Sequence, residues 1–262
     1  MKNRIDAAFA RLKRRNEKAL IGYVTAGFPT QAGFEALIPK LETAGLDLLE
    51  IGVPFSDPIA DGPTIQKASQ TALDRGVTLD WVLAATRRLR AKVDLPFIYM
   101  SYCNPIYAMG IDRFFAAAKA AGVDGLIIPD MIPEEAGDYA TAAQNHGLRL
   151  IYLASPTTPA ARLKQIGRAT RGFLYVVSLT GVTGARRELP ADLATFVKRA
   201  KSTSSSPVAV GFGISTPAQA RQAARHADGV IVGSALIKAI ESSSREAVQF
   251  VTSLKKELRH AS

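Results

Sequence analysis

Eight short apolar runs recur along the chain, and each is followed by apolar positions at helical spacing. The runs cover residues 20–27, 48–53, 97–102, 125–129, 148–154, 173–179, 208–212 and 230–232. After the first, Phe34, Leu37, Ile38 and Leu41 mark a helix that Gly45 ends. Two helical segments follow the second run, one from Pro63 to near Gly76 and one capped by Thr78 that holds Val82 and Leu89. Further helices are expected at 112–121, 134–145, 159–168, 191–201, 217–225 and 245–258. A doubly wound sheet uses the same alternation. Eight near-regular units without a dinucleotide fingerprint after the first strand instead favour a closed α/β TIM barrel, (β/α)8. Residues 1–15 add an extra N-terminal helix with Ile5, Ala8, Phe9 and Leu12 on one side. Trp81, a lone aromatic at helical spacing, reads as packing.

Length and composition leave that picture in place. At 262 residues the chain fits one barrel, for which about 250 residues is usual, so 1–262 reads as a single domain. No linker divides it, since the run Ser202-Thr203-Ser204-Ser205-Ser206 is short enough for an ordinary loop. No apolar run is long enough to span a bilayer and no secretory signal is visible, which predicts a soluble cytoplasmic protein with no membrane partner. The lone Cys103, in the apolar stretch 97–103, excludes an internal disulfide and reads as a reduced, buried thiol.

The formal charge of +10 raises the question of a polyanionic partner. Its carriers are dispersed: Arg11, Lys13, Arg14 and Arg15 near the start, Arg186 and Arg187 in a loop, and Lys255, Lys256 and Arg259 near the end. No aromatics alternate with them, so solvated surface is the reading and no nucleic-acid partner is expected. His146, His226 and His260 have neither metal-site spacing nor cysteine company, so no metal is predicted. There is likewise no serine-nucleophile motif.

Chemistry concentrates where the second strand becomes a loop. Period-two alternation places Leu49, Ile51 and Val53 on one face and Leu48, Glu50 and Gly52 on the other, so a carboxylate points where a core side chain belongs. Glu50 is either ion-paired with a neighbouring Arg or Lys or kept protonated by burial, as a general acid requires. Pro54 and Pro58 stiffen a loop carrying Asp57 and Asp61, which places a second acid at the same mouth. Barrel sites form at the C-terminal ends of the strands, where Tyr102, Asn104, Asp130 and Tyr175 also fall. Around the other half of the rim, Gly181, Gly184, Gly213, Gly233 and Ser234 form three glycine-bearing connections whose amides can approach a phosphate, and Ser234 opens a short helix.

The stretch from Glu50-Ile51-Gly52 through Pro54-Phe55-Ser56-Asp57-Pro58 to Ala60-Asp61-Gly62-Pro63 resembles the signature of the tryptophan synthase alpha subunit family. The likeness continues over nearly the full chain. It implies cofactor-free retro-aldol cleavage of indole-3-glycerol phosphate into indole and glyceraldehyde 3-phosphate, with Glu50 and Asp61 as the catalytic pair. It further implies phosphate contacts at Gly184, Gly213, Gly233 and Ser234, and a lid over residues 179–189 that includes Thr183. Tyr23, Ile65, Tyr102, Ile127, Tyr175 and Phe212 would form the slot for the indole ring. Some members carry an arginine where this chain has Leu179-Thr180, a charge that Arg186 or Arg187 would have to supply. The resemblance also implies docking, through a rim containing Pro54, Asp57, Asn104 and Pro133, on a pyridoxal-phosphate beta subunit in a heterotetramer of two alpha and two beta chains. Two rival readings use the same residues: a sugar-phosphate isomerase, which leaves the acid loop without a purpose, and a subunit that only activates its partner, which leaves both acids without one.

Overall fold

The computed structural model describes residues 3–177, 193–211 and 213–259. Helix α1 (Arg4–Arg14) precedes strand β1 (Ala19–Thr25) and α2 (Gln31–Thr43). Strand β2 (Leu48–Gly52) is followed by α3 (Pro63–Asp74) and α4 (Leu79–Arg90), and β3 (Phe97–Met100) by α5 (Cys103–Met109) and α6 (Ile111–Ala121). Then come β4 (Gly125–Ile127), α7 (Gly137–Asn145), β5 (Arg149–Ile151), β6 (Leu153–Ala154) and α8 (Ala160–Ala169). Strand β7 (Leu174–Val177), α9 (Leu193–Thr203), β8 (Val208–Gly211), α10 (Pro217–Ala224), β9 (Gly229–Val232), α11 (Ser234–Ser242) and α12 (Ser244–Leu258) complete the order.

All the strand pairs are parallel. They run β5-β4-β3-β2-β1-β9-β8-β7-β6, and because β5 and β6 are two halves of one barrel strand, that order makes a ring. The run at 148–154 is therefore not one strand. It breaks at Tyr152, whose N–H donates to the Thr170 hydroxyl at 3.1 Å instead of to a neighbouring strand.

Alternation along the strands sorts the core into two parts. Ala19, Ile21, Leu48, Ile98, Ile127, Ile151, Phe173, Ala209 and Ile231 fill the lumen, while Leu49, Ile51, Phe97, Leu126, Val176, Val210 and their neighbours face the helices. Helix α1 closes the N-terminal end of the barrel with Ile5, Ala8, Phe9 and Leu12, and Phe9 meets Phe173 at 5.7 Å between ring centres. Three aspartates pin the same end. Asp47, Asp124 and Asp228 accept the N–H of Leu20, Phe97 and Val208 at 2.9, 3.0 and 2.8 Å.

Several expectations need correction. Lys255 is not solvated surface: it is 5% exposed, with Nζ 2.7 Å from Asp47 Oδ2 and 3.4 Å from Glu17. Cys103, expected to be buried, is half-buried at the start of α5, and the third strand, expected to reach Tyr102, stops at Met100. Pro105 fits the first turn of that helix, where a missing N–H costs nothing. The seventh helix starts at Gly137, because residues 132–136 are held in turns by Glu135 N–H to Ile132 and Ala136 N–H to Pro133. Trp81 packs on Phe34 at 6.1 Å.

Candidate active site

Strand β2 projects Glu50 into the lumen one layer above Leu48, in register with Tyr23 of β1 and Ile98 of β3. The residue has no exposed surface, and both carboxyl oxygens lack any hydrogen-bond partner among the described residues. No Arg or Lys pairs with it there, so the ion-pair alternative finds no support. A carboxylate in that position would be stripped of water without compensation. Burial alone pushes its pKa from 4.5 up to about 8.

Asp61 reaches the same region from the loop after β2. That loop is held by its own helix: the Ser69 hydroxyl of α3 accepts from Phe55 N–H at 3.0 Å, and the Gln66 side chain donates to the Asp61 carbonyl at 2.9 Å. Gly62 caps α3 and Pro63 opens it. Burial raises the Asp61 carboxyl from 3.8 to about 6, opposed by the Tyr102 hydroxyl, which donates to Oδ2 at 3.0 Å. Tyr102 in turn accepts from Ala60 N–H at 3.1 Å and lies 5.4 Å from the Phe55 ring, which fixes the acid loop against the end of β3. At neutral pH the two carboxyls therefore differ, with Glu50 protonated and Asp61 mostly ionised.

A cavity of about 600 Å³ opens at this end of the barrel. Tyr23, Asp61, Ile65, Tyr175, Gly233 and Ser234 all line it, which brings the acid side and the helix-opening serine of α11 to one space. The two tyrosines require their glycine neighbours. A Cβ on Gly52 would stand 2.0 Å from the Tyr23 hydroxyl oxygen, and one on Gly211 would stand 2.8 Å from that of Tyr175. Burial, and then the nearby carboxyls of Glu50 and Asp61, hold the Tyr175 hydroxyl firmly protonated.

The remaining expected contacts are arranged differently. Ile127 is fully buried in the luminal cluster and does not line the cavity, and Tyr102 stands behind Asp61. Gly213 has φ +63° with open space around its Cβ direction, so backbone conformation and not packing calls for glycine there. Thr183, Gly184 and Phe212, the lid over 179–189, and Arg186 and Arg187 lie outside the described residues. Sequence reasoning missed Met100, Leu153 and Val177, which line the cavity at luminal positions. Carrying the period-two alternation one step further along each strand finds Met100 and Val177. Arg162 of α8, also at the cavity, gave no signal because it lies on an exposed helical face.

Among the described residues no cluster of His, Cys, Asp and Glu could hold a metal ion, and no helix is long and apolar enough to cross a membrane. His146 instead bonds Asp112 at 2.8 Å.

Residues 9–262 match the family model described as tryptophan synthase alpha chain. The tryptophan synthase alpha chain of Geobacter sulfurreducens is 48% identical over 258 residues, covering 97% of this chain and 98% of that one. That of Citrifermentans bemidjiense is 51% identical over 239 residues, covering 91% and 90%. Among solved structures, tryptophan synthase of Mycobacterium tuberculosis superposes with a TM-score of 0.93 at 39% identity, covering 99% of each chain. Tryptophan synthase subunit alpha of Legionella pneumophila gives 0.91 at 41% identity, covering 99% of this chain and 100% of that one.

Proposed function

The chain belongs to the tryptophan synthase alpha chain family, and from that premise we propose that Glu50 and Asp61 carry out its cleavage of indole-3-glycerol phosphate to indole and glyceraldehyde 3-phosphate, a step of tryptophan biosynthesis. The observation that carries the reading is the Glu50 carboxyl, buried in the lumen without a partner among the described residues.

The reaction needs a proton delivered to one atom and removed from another. Glu50, protonated at neutral pH, gives its proton to the indole ring carbon that bears the glycerol chain. The ring nitrogen then takes on positive charge, which the ionised Asp61 stabilises through its N–H. Glu50, now a carboxylate, accepts the proton of the hydroxyl on the adjoining carbon. The carbon–carbon bond breaks, its electron pair returns to the ring as neutral indole, and the oxygen becomes the aldehyde. Glu50 ends protonated, as it began, and no cofactor enters the balance.

Tyr23, Ile65 and Tyr175 offer flat apolar surface for the ring, and the Gly233–Ser234 start of α11 offers free N–H groups and a helix dipole for the phosphate. Tyr102 orients Asp61, and Gly213, Gly184 and Thr183 are further phosphate and lid contacts in this proposal. The test is direct indole release. Glu50→Gln and Asp61→Asn should each lower turnover by about 10²–10⁴-fold, the usual worth of a positioned acid or base, while equilibrium dialysis still detects bound substrate. Near wild-type release from either variant would overturn the assignment.

Family membership implies a beta-subunit partner. Its docking face in this proposal is the rim beside the acid loop, where Ile59 and Tyr107 are 81% and 72% exposed among Pro54, Asp57, Asn104 and Pro133. A complex of two alpha and two beta chains is expected. Co-purification with a beta chain, abolished by Ile59→Asp with Tyr107→Asp, checks the face; unchanged co-purification would move the interface elsewhere.

A further inference from the structure

A second cavity, of about 490 Å³, lies at the opposite end of the barrel, between α1 with its following loop and the connections that enter β7, β8 and β9. Phe9, Leu12 and Pro207 supply its apolar wall. Three acids and three lysines face it, and their pairing is uneven.

Each acid already has a cation. Asp6 is held by Arg149 at 2.5 Å, Asp228 by Lys201 at 2.7 Å, and Glu17 by Lys255 at 3.4 Å. Two of the lysines have no acid. Among the described residues neither Lys13 nor Lys18 lies within ion-pair distance of a carboxylate, and the only hydrogen bond of the Lys18 ammonium goes to the Ala227 carbonyl at 3.0 Å. Lys18 is half-buried, and its pKa is drawn down by burial and by Lys201, against Asp228. An ammonium partly removed from water with no carboxylate in ion-pair contact is a cost that a bound anion offsets.

We propose that this cavity binds a small organic phosphate, with the phosphate between Lys13 and Lys18 and the organic body against Phe9, Leu12 and Pro207. Two ammonium groups without an ion-pair partner among the described residues match a dianion, and lysine serves phosphate as a compact point charge. The hydroxyls of Ser204 and Ser205 on the facing loop add donors of the kind phosphate oxygens take up, while that of Ser206 already donates to the Thr170 carbonyl. The volume falls within the range of small-molecule sites. Nothing in this proposal depends on the cleavage reaction assigned to the other end.

Phenyl phosphate is the probe, titrated into the full chain carrying lysine labelled with ¹³C at Cε. The Lys13 and Lys18 signals should shift and saturate together. Lys13→Ala and Lys18→Gln should each weaken this saturation at least about tenfold, while indole release stays unchanged. Lys13 is exposed, so its variant keeps the test intact even if Lys18→Gln fails to fold. Shifts that rise linearly without saturating, or variants that bind as the wild type does, would overturn the site.

Discussion

Among the described residues nothing compensates Glu50, and the chemistry proposed for it turns on that. Its carboxyl holds a proton to about pH 8, whereas Asp61 gives one up near pH 6. The proposed mechanism needs the first protonated and the second ionised, so kcat/KM for indole release should rise as pH climbs through about 6 and fall as it passes about 8. Asp61→Glu, with any residual activity it retains, should shift the acid limb and leave the alkaline limb in place. A flat profile from pH 5 to 9 would contradict the division of roles. Both acids were legible in the sequence, because alternation alone turns Glu50 inward and two prolines fix the loop of Asp61. The absence of a counter-ion for Glu50 among the described residues was not, since that depends on every strand that faces it.

At the level of elements, the buried lysine of α12 shows what a charge run conceals. Ala247, Val251, Leu254 and Leu258 mark the buried side of that helix, and Lys255 follows Leu254 directly. Its partner Asp47 enters from the start of β2, far away in sequence, so composition assigned the lysine to solvent. Lys255→Met leaves the buried Asp47 with only the distant Arg11 guanidinium at 3.8 Å and the Leu20 N–H. The expected loss is about 3–5 kcal/mol, read from urea unfolding; a loss under about 1 kcal/mol would mean the pair contributes little. Element ends were the other misreading. Tyr152 breaks a strand because a threonine hydroxyl captures its N–H, and the 97–102 run stops two residues early to become the cap of α5. Local periodicity registers neither event.

For the whole molecule, the alternation of strand and helix announced the barrel, and the fold then decides which residues meet. Ring closure brings Asp61 of the second β-α unit and the Gly233–Ser234 turn of the last around one cavity, with Glu50 buried in the lumen on the same unit. Their separation in sequence gives no hint of that meeting except through the fold. The role of α1 was equally invisible as a local pattern: its apolar side was legible, and its place as the plug of the barrel floor came only with closure. The most direct test is a crystal structure of the chain with an unreactive indole phosphate analogue. One molecule should span the cavity, its ring nitrogen bonded to Asp61, its ring carbon facing Glu50, and its phosphate on the amides of Gly213, Gly233 and Ser234. A ligand whose phosphate sits away from that turn, or whose ring lies out of reach of Glu50, would contradict the proposal.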